Sequence, residues 1–309
     1  MGRKIFKTID EQIDILKKKG LSFENFNNPN EILVRENYFF LNGYRHPFLK
    51  SENSSSFIEG TNFSEVYALF CFDRQLRNIL FKNILILENN VKSIFSYVIS
   101  KNHGYKESTY LDSSMFTRDS HKIRQINDLI KKMKRQIRVN GKQHNATKHY
   151  MENYGYLPLW VVVKVLSFGI VSELYCIFKK EDQEEIATYF DVSVENLLTY
   201  LPVLSNYRNL CAHEDLCYEH RSYTFISPTK YHHLLNIPKE NEEYIYGLND
   251  VFSLIIILKE MLRCEDFNLL IHEISYEIDV LSGKLKTISI NKVLDRMGFP
   301  PNFNDIVKF

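Results

Sequence analysis

Between residues 76 and 98, apolar side chains fall at 76, 79, 80, 84, 87, 91, 94, 95 and 98. Steps of three and four residues are the period of an amphipathic helix. The pattern predicts a helix that Ser64 caps, that Asp73 either restarts or lies within, and that ends near Lys101 at His103-Gly104. The same period recurs over most of the chain. Residues 8–19 open at Thr8 or Asp10 and stop at Gly20. A second helix is expected from about Asn30 to Leu41, a basic one over 118–138, an apolar one over 158–178, and one running from Ser193 toward His213. Pro202 must kink or split the last of these, since proline removes a ladder donor and crowds the preceding turn. Further helices are expected over 249–262 and in "NKVLDRMGF". Alternation of strand type is clear only in "RSYTFIS". The expected class is therefore all-α.

"SENSSSFIEGTN", residues 51–62, is the most loop-like stretch and the best internal boundary. The expected organisation is an N-terminal helical region over 1–60, a core over 61–216 and a C-terminal extension over 217–309 that packs on the core and carries little strand. "LPLWVVVKVLSFGIV" and "VFSLIIILKEML" are apolar but shorter than a spanning helix needs. "MGRKIFKTIDEQIDILKKKG" lacks the apolar region of a secretory signal. Five cysteines, none in a C-x-x-C pair, read as reduced and mostly buried thiols. A cytoplasmic location is the expectation, with no membrane contact. Metal-ligand spacings are missing, so no metal and no cofactor are expected.

Net charge is only +1, which does not mark the whole chain as a polyanion binder. The charge is unevenly placed, however. Residues 118–148 carry ten Lys or Arg against two acids, a local +8 that leaves the remainder at −7. Such a block suits a phosphate backbone; lysine-rich faces are also common on solvated helices. Within it, Lys131, Lys132, Lys134, Arg135 and Arg138 are the candidate RNA contacts. "RVNGKQH" repeats an Arg-to-His spacing but contains a glycine and reads as a loop.

"SNYRNLCAHED", residues 205–215, sets Arg208, Asn209 and His213 into an otherwise apolar run. Asn209 and His213 are four apart and share a helix face, and Arg208 lies about 100° round from Asn209. A cation, an amide and an imidazole at a buried helix end are costly unless satisfied or used. The ordinary alternative is that Arg208 pairs with Glu214 or Asp215 and His213 merely ends the helix.

"RNLCAH" resembles the R-x4-H motif of HEPN ribonucleases, and the wider chain resembles the Abi family of bacterial abortive-infection proteins, of the AbiD/AbiF type. The resemblance rests also on "ENYFFLNGYRHPF", on "FDRQLRNILFKNILILENNVKSIFSYVIS" with Phe72, Asp73, Arg74, Leu76, Glu88 and Lys92, on "GYKESTYLD", and on "PLWVVVKVLSFGIVSELY" with Trp160 in a core helix. It spans about residues 8–216 in order. Lys92 stands where an arginine is common. The resemblance implies a HEPN-type helical bundle, metal-independent RNA cleavage at Arg208, Asn209 and His213, and a homodimer that completes the site. For the AbiF type it implies a structured noncoding RNA partner and kinship with the HEPN domains of type VI CRISPR effectors.

The residue types suit that chemistry. Histidine moves protons near neutral pH. Arginine stays charged and offers a planar fork to phosphate oxygens. Asn209 can orient His213 or bind phosphate as a neutral donor. Three functions stay open on the sequence: a regulated endoribonuclease leaving 2′,3′-cyclic phosphates, an RNA-binding scaffold or phage sensor that does not cut, and a nucleotide-binding or nucleotide-transferring protein.

Overall fold

Thr8 opens the first helix as the sequence requires: its hydroxyl accepts the Glu11 amide, and Glu11 returns the favour to the Thr8 amide. The computed structural model describes residues 5–309, except for the side chain of Phe40. The helices are α1 (Ile9–Lys18), α2 (Pro29–Glu36), α3 (Tyr38–Gly43), α4 (Phe63–His103), α5 (Glu107–Tyr110), α6 (Ile123–Asn140), α7 (Asn145–Tyr154) and α8 (Leu159–Val165). They continue as α9 (Phe168–Ile177), α10 (Lys180–Thr188), α11 (Val194–Ala212), α12 (Lys230–Leu234), α13 (Val251–Met261), α14 (Cys264–Ser282) and α15 (Ile290–Met297). Among the described residues the strands are β1 (Lys239–Glu240) and β2 (Glu243–Tyr244), an antiparallel pair. The fold is all-α.

The axis of the molecule is α4, 41 residues long, or about 60 Å at 1.5 Å per residue. Asn62, not Ser64, caps it, with Glu65 completing a capping box. Asp73 lies inside the helix rather than restarting it. Gly104, at φ +104°, ends it. The α8, α10, α11 and α14 helices all pack along α4, and α11 also packs on α9. Buried residues from Ile13 to Ile306 form one continuous apolar core. Glu65 also anchors the C-terminal region: its Oε2 accepts from the amides of Lys286 (2.6 Å) and Thr287 (2.8 Å).

Three sequence expectations are corrected. The helix expected over 30–41 is two, broken at Asn37, which takes a left-handed φ of 63° and caps α3 with its side chain. The apolar run 158–178 is also two helices. Ser167 caps α9, and the backbone groups freed at the break are met by α6: Gln136 accepts the Ser167 amide (2.8 Å) and Asn140 donates to the Val165 carbonyl (3.2 Å). "RSYTFIS" is extended but not a ladder strand; it docks instead on residues 248–249, through Ser222 N–H to Asn249 O (2.7 Å) and Ile226 N–H to Leu248 O (2.9 Å). Pro202 sits inside α11 without ending it. The cysteines are free; Cys211 and Cys217 are buried, Cys71 and Cys176 half-buried, and Cys264 exposed. Among the described residues no helix is long and apolar enough to cross a membrane.

Candidate functional site

The last turns of α11 and the chain just after it form one wall of an open cleft of about 830 Å³. Asn206, Asn209 and His213, at i, i+3 and i+7, present one face of α11 to it. His213 occupies the C-cap position, its amide donating to the Asn209 carbonyl at 3.0 Å. Both Asn209 and His213 are solvent-exposed. The sequence placed these two together, and the structure does so.

Arg208 goes elsewhere. It stands about 140° round the helix from His213, and its Nε donates to Glu88 Oε2 on α4 at 3.0 Å. Its guanidinium also lies 5.7 Å from the Phe81 ring centroid. Glu88 is held from its other side by Lys92 (2.6 Å), both side chains being only 9% exposed. The arginine therefore does not pair with Glu214 or Asp215. Among the described residues no hydrogen bond joins the side chains of Arg208, Asn209 and His213.

A buried network fixes the segment that follows His213. Asp73 is fully buried and accepts from Tyr44 (2.7 Å), from Arg77, and from the amides of Cys217 (3.0 Å) and Tyr218 (2.7 Å). Arg77 adds a bond to the Asp215 carbonyl at 3.2 Å. Burial pushes the Asp73 carboxyl up from its ordinary range; Arg77, Tyr44 and the two amides oppose that by favouring the charge. Burial likewise pushes the Tyr44 hydroxyl well up. Thus the "GY" and "FDR" segments act on the site from below. Tyr44 and Asp73 do not enter the cleft; they clamp the loop that shapes it. Arg74 serves a different joint, pairing with Glu36 at 2.6 Å.

Sequence reasoning missed five polar cleft residues. Glu219, His220, Arg221 and Arg296 lie beyond the helix, and Asn206 lies within it, where the shared face with Asn209 was the one available signal. His220 Nε2 sits 2.7 Å from Asn206 Oδ1, and burial, with Arg221 nearby, lowers the pKa of its imidazole. Arg296 reaches the cleft from α15 and grips Glu219 at 2.8 Å; Glu219 also meets His46 at 3.1 Å.

The basic stretch forms a second surface. In α6 the core face is Ile126, Leu129, Ile130 and Met133. At 100° per residue, Arg124, Lys131, Lys134, Arg135 and Arg138 fall on one arc of about 100°, along about 21 Å of axis. Lys132 is turned away from that arc and pairs with Glu173 at 2.7 Å. Lys131 approaches Asp128 at 3.6 Å. Lys134, Arg135 and Arg138 are exposed and form no ion pair among the described residues. "RVNGKQH" straddles the end of α6 and a loop, and its His144 is exposed. Among the described residues no group of three or more His, Cys, Asp or Glu side chains is arranged to hold a metal ion.

Residues 31–219 match the family described as Abi-like protein. No curated protein and no solved structure matches the chain.

Proposed function

The chain belongs to the Abi-like protein family, which makes it a protein of abortive-infection type, and on that premise we propose that it is a HEPN-type, metal-independent endoribonuclease acting in anti-phage defence, a regulated toxin held by a structured noncoding RNA. The observation that carries this reading is the cleft at the end of α11, where Asn209 and His213 stand exposed on one face beside a clamped loop.

In the proposed reaction a base takes the proton of an RNA 2′-hydroxyl. The 2′-oxygen attacks the adjacent phosphorus, the bond to the 5′-oxygen breaks, and an acid protonates the departing oxygen. The products are a 2′,3′-cyclic phosphate and a 5′-hydroxyl. His213 supplies one proton-transfer group. Asn209 orients it or donates to a phosphate oxygen. Arg208 offsets the charge of the phosphorane. One chain carries one copy of the motif while the reaction needs two proton-transfer groups, which supports a homodimer in which two copies of the segment meet across a two-fold axis. His220 offers a candidate for the base within the same chain: it lines the same cleft, and burial lowers the pKa of its imidazole.

The engagement of Arg208 by Glu88 favours a second reading, an RNA-binding scaffold or sensor in which Arg208 is a structural residue. One experiment separates the two. Labelled RNA is incubated with the parent, His213→Ala, Arg208→Ala and His220→Ala proteins in EDTA, with ends identified chemically and folding checked by circular dichroism. The nuclease reading expects cyclic-phosphate ends from the parent and at least a hundredfold loss in the folded His213→Ala and Arg208→Ala proteins, in the range of a lost acid–base group. A folded His213→Ala protein that cuts at the parental rate refutes it.

A further inference from the structure

Six aromatic rings lie in contact at the surface where α7, α8 and the end of α4 meet. Tyr105 packs at a tilt against Trp160, with centroids 5.2 Å apart, and against Tyr156 at 5.9 Å. Tyr156 meets Tyr154 at 6.5 Å, Tyr154 meets Tyr150 at 5.2 Å, and His149 touches both Tyr150 and Tyr154. The Trp160 indole N–H points to the Tyr150 hydroxyl at 3.4 Å. Tyr150 and Tyr156 are half-buried, Tyr150 against the core, and the other rings open to solvent. Tyr154 is 57% exposed, Trp160 43% and Tyr105 37%. The helix that carries Trp160 is a core helix, as the sequence suggests: α8 buries Leu159, Val161, Val162, Val163 and Val165 but turns its tryptophan outward. A connected run of exposed rings is the kind of apolar patch that marks an interaction surface.

Its flank is cationic. Lys106 stands 4.9 Å over the Tyr156 ring. On the other side of α7, Arg138, Lys142 and Lys148 line a groove of about 460 Å³ with Met151. Of the two carboxylates there, Glu107 accepts the Leu157 amide at 2.7 Å and Glu152 faces Lys148 at 3.8 Å. Arg138 belongs both to this groove and to the basic arc of α6.

We propose that this aromatic ladder is a stacking platform for unpaired RNA bases, with Lys106 at its edge and the groove of Arg138, Lys142 and Lys148 beyond α7 receiving the backbone as it continues. Every base presents a π face, so such a platform needs no particular sequence, and cations flanking the rings are what a single strand requires. The rings hold one another in place before any ligand arrives, so little is spent on ordering them. Charge also selects the occupant. A second copy docked here by a two-fold axis would bring the basic arcs of both chains toward each other, whereas a polyanion neutralises them. The inference shares with the nuclease reading only the choice of RNA, and it stands or falls without cleavage.

Trp160 is the one tryptophan in the chain, so its fluorescence reports this surface alone. The titrant is a 2′-O-methyl oligoadenylate of about twelve residues, which cannot be cleaved by 2′-hydroxyl attack. Heparin serves as a polyanion without bases. The expected result is saturable quenching by the oligonucleotide and little by heparin. Tyr154→Ala and Tyr105→Ala should each weaken binding roughly five- to hundredfold, while Tyr154→Phe keeps parental affinity and circular dichroism is unchanged in all three. A His213→Ala protein should quench like the parent, which separates this platform from the catalytic assignment. Equal quenching by heparin, or parental affinity in both alanine variants, overturns the proposal. So does a result in which those variants abolish self-association in light scattering yet bind the oligonucleotide normally, since the ladder would then be a contact between copies of this chain.

Discussion

Replacing Asp73 by Asn keeps the shape of the clamp beneath the cleft and removes its charge. The parent carboxylate accepts from Tyr44, Arg77, Cys217 and Tyr218. Asn offers one acceptor oxygen, so its amide nitrogen must face at least one of those donors. The larger effect falls on Arg77, whose side chain is 3% exposed and whose other partners, the Tyr44 hydroxyl and the Asp215 carbonyl, are neutral. Stranding one member of a buried pair costs about 3–5 kcal/mol. An unfolding entropy of about 2.1 cal/mol/K per residue gives about 0.65 kcal/mol/K for this chain, so the melting temperature should fall by about 5–8 °C. Tyr44→Phe removes two hydrogen bonds, one to Asp73 and one from Arg77, and at about 1 kcal/mol each should cost about 2 kcal/mol, or about 3 °C. Adding Arg77→Met to the Asp73→Asn protein should recover part of the loss, because it removes the stranded charge. Differential scanning calorimetry of the four proteins is the assay. If Asp73→Asn melts within about 1.5 °C of the parent, the clamp does not work through its charge and the reasoning is wrong.

Asp250 caps α13, and burial raises its pKa to about 6; a carboxyl raised in the folded state stabilises fully below its unfolded pKa near 4 and loses that contribution as pH rises through about 6, so the parent should gain up to about 3 kcal/mol relative to Asp250→Asn between pH 6.5 and 4 in thermal melts, and a constant difference across that window would refute it. Neutralising Lys131, Lys134, Arg135 and Arg138 together should reduce the log–log salt slope of RNA binding by about 0.7–0.9 per lost contact, whereas Lys132→Gln, which loses a cation turned toward Glu173, should leave it nearly unchanged; equal effects from all five positions would contradict the geometry of α6. Light scattering at micromolar concentration should give twice the 36.7 kDa chain mass, and a strictly monomeric yet active protein would leave His213 and His220 of one chain as the proton-transfer pair.

The parts of the fold legible in the sequence are those whose signals are local. The bounds of α1 and the end of α4 are written in Thr8, Glu11 and Gly104, which act on their immediate neighbours. The break at Leu166–Ser167 was hidden because apolar residues continue across it, and the groups that satisfy it, Gln136 and Asn140, lie 31 and 25 residues before their partners, on α6. The pairing of Asn209 with His213 follows from helical period alone. The partner of Arg208 does not, since Glu88 is 120 residues away and two nearer acids, Glu214 and Asp215, competed for the assignment. Arg296 could not be placed in the cleft from sequence at all, because α15 reaches it only through the packing of the C-terminal helices.

The segment after a helix end ordinarily frays, and its amides exchange with solvent in the first local openings. Here the amides of Cys217 and Tyr218 end on a carboxylate inside α4. Their deuterium uptake is therefore tied to the opening of the central helix and not to the motion of a surface loop. The wall of the cleft should then exchange together with α4, while His213, five residues before Tyr218, remains exposed to solvent. An imidazole open to solvent is thus followed, within five residues, by backbone anchored in the core.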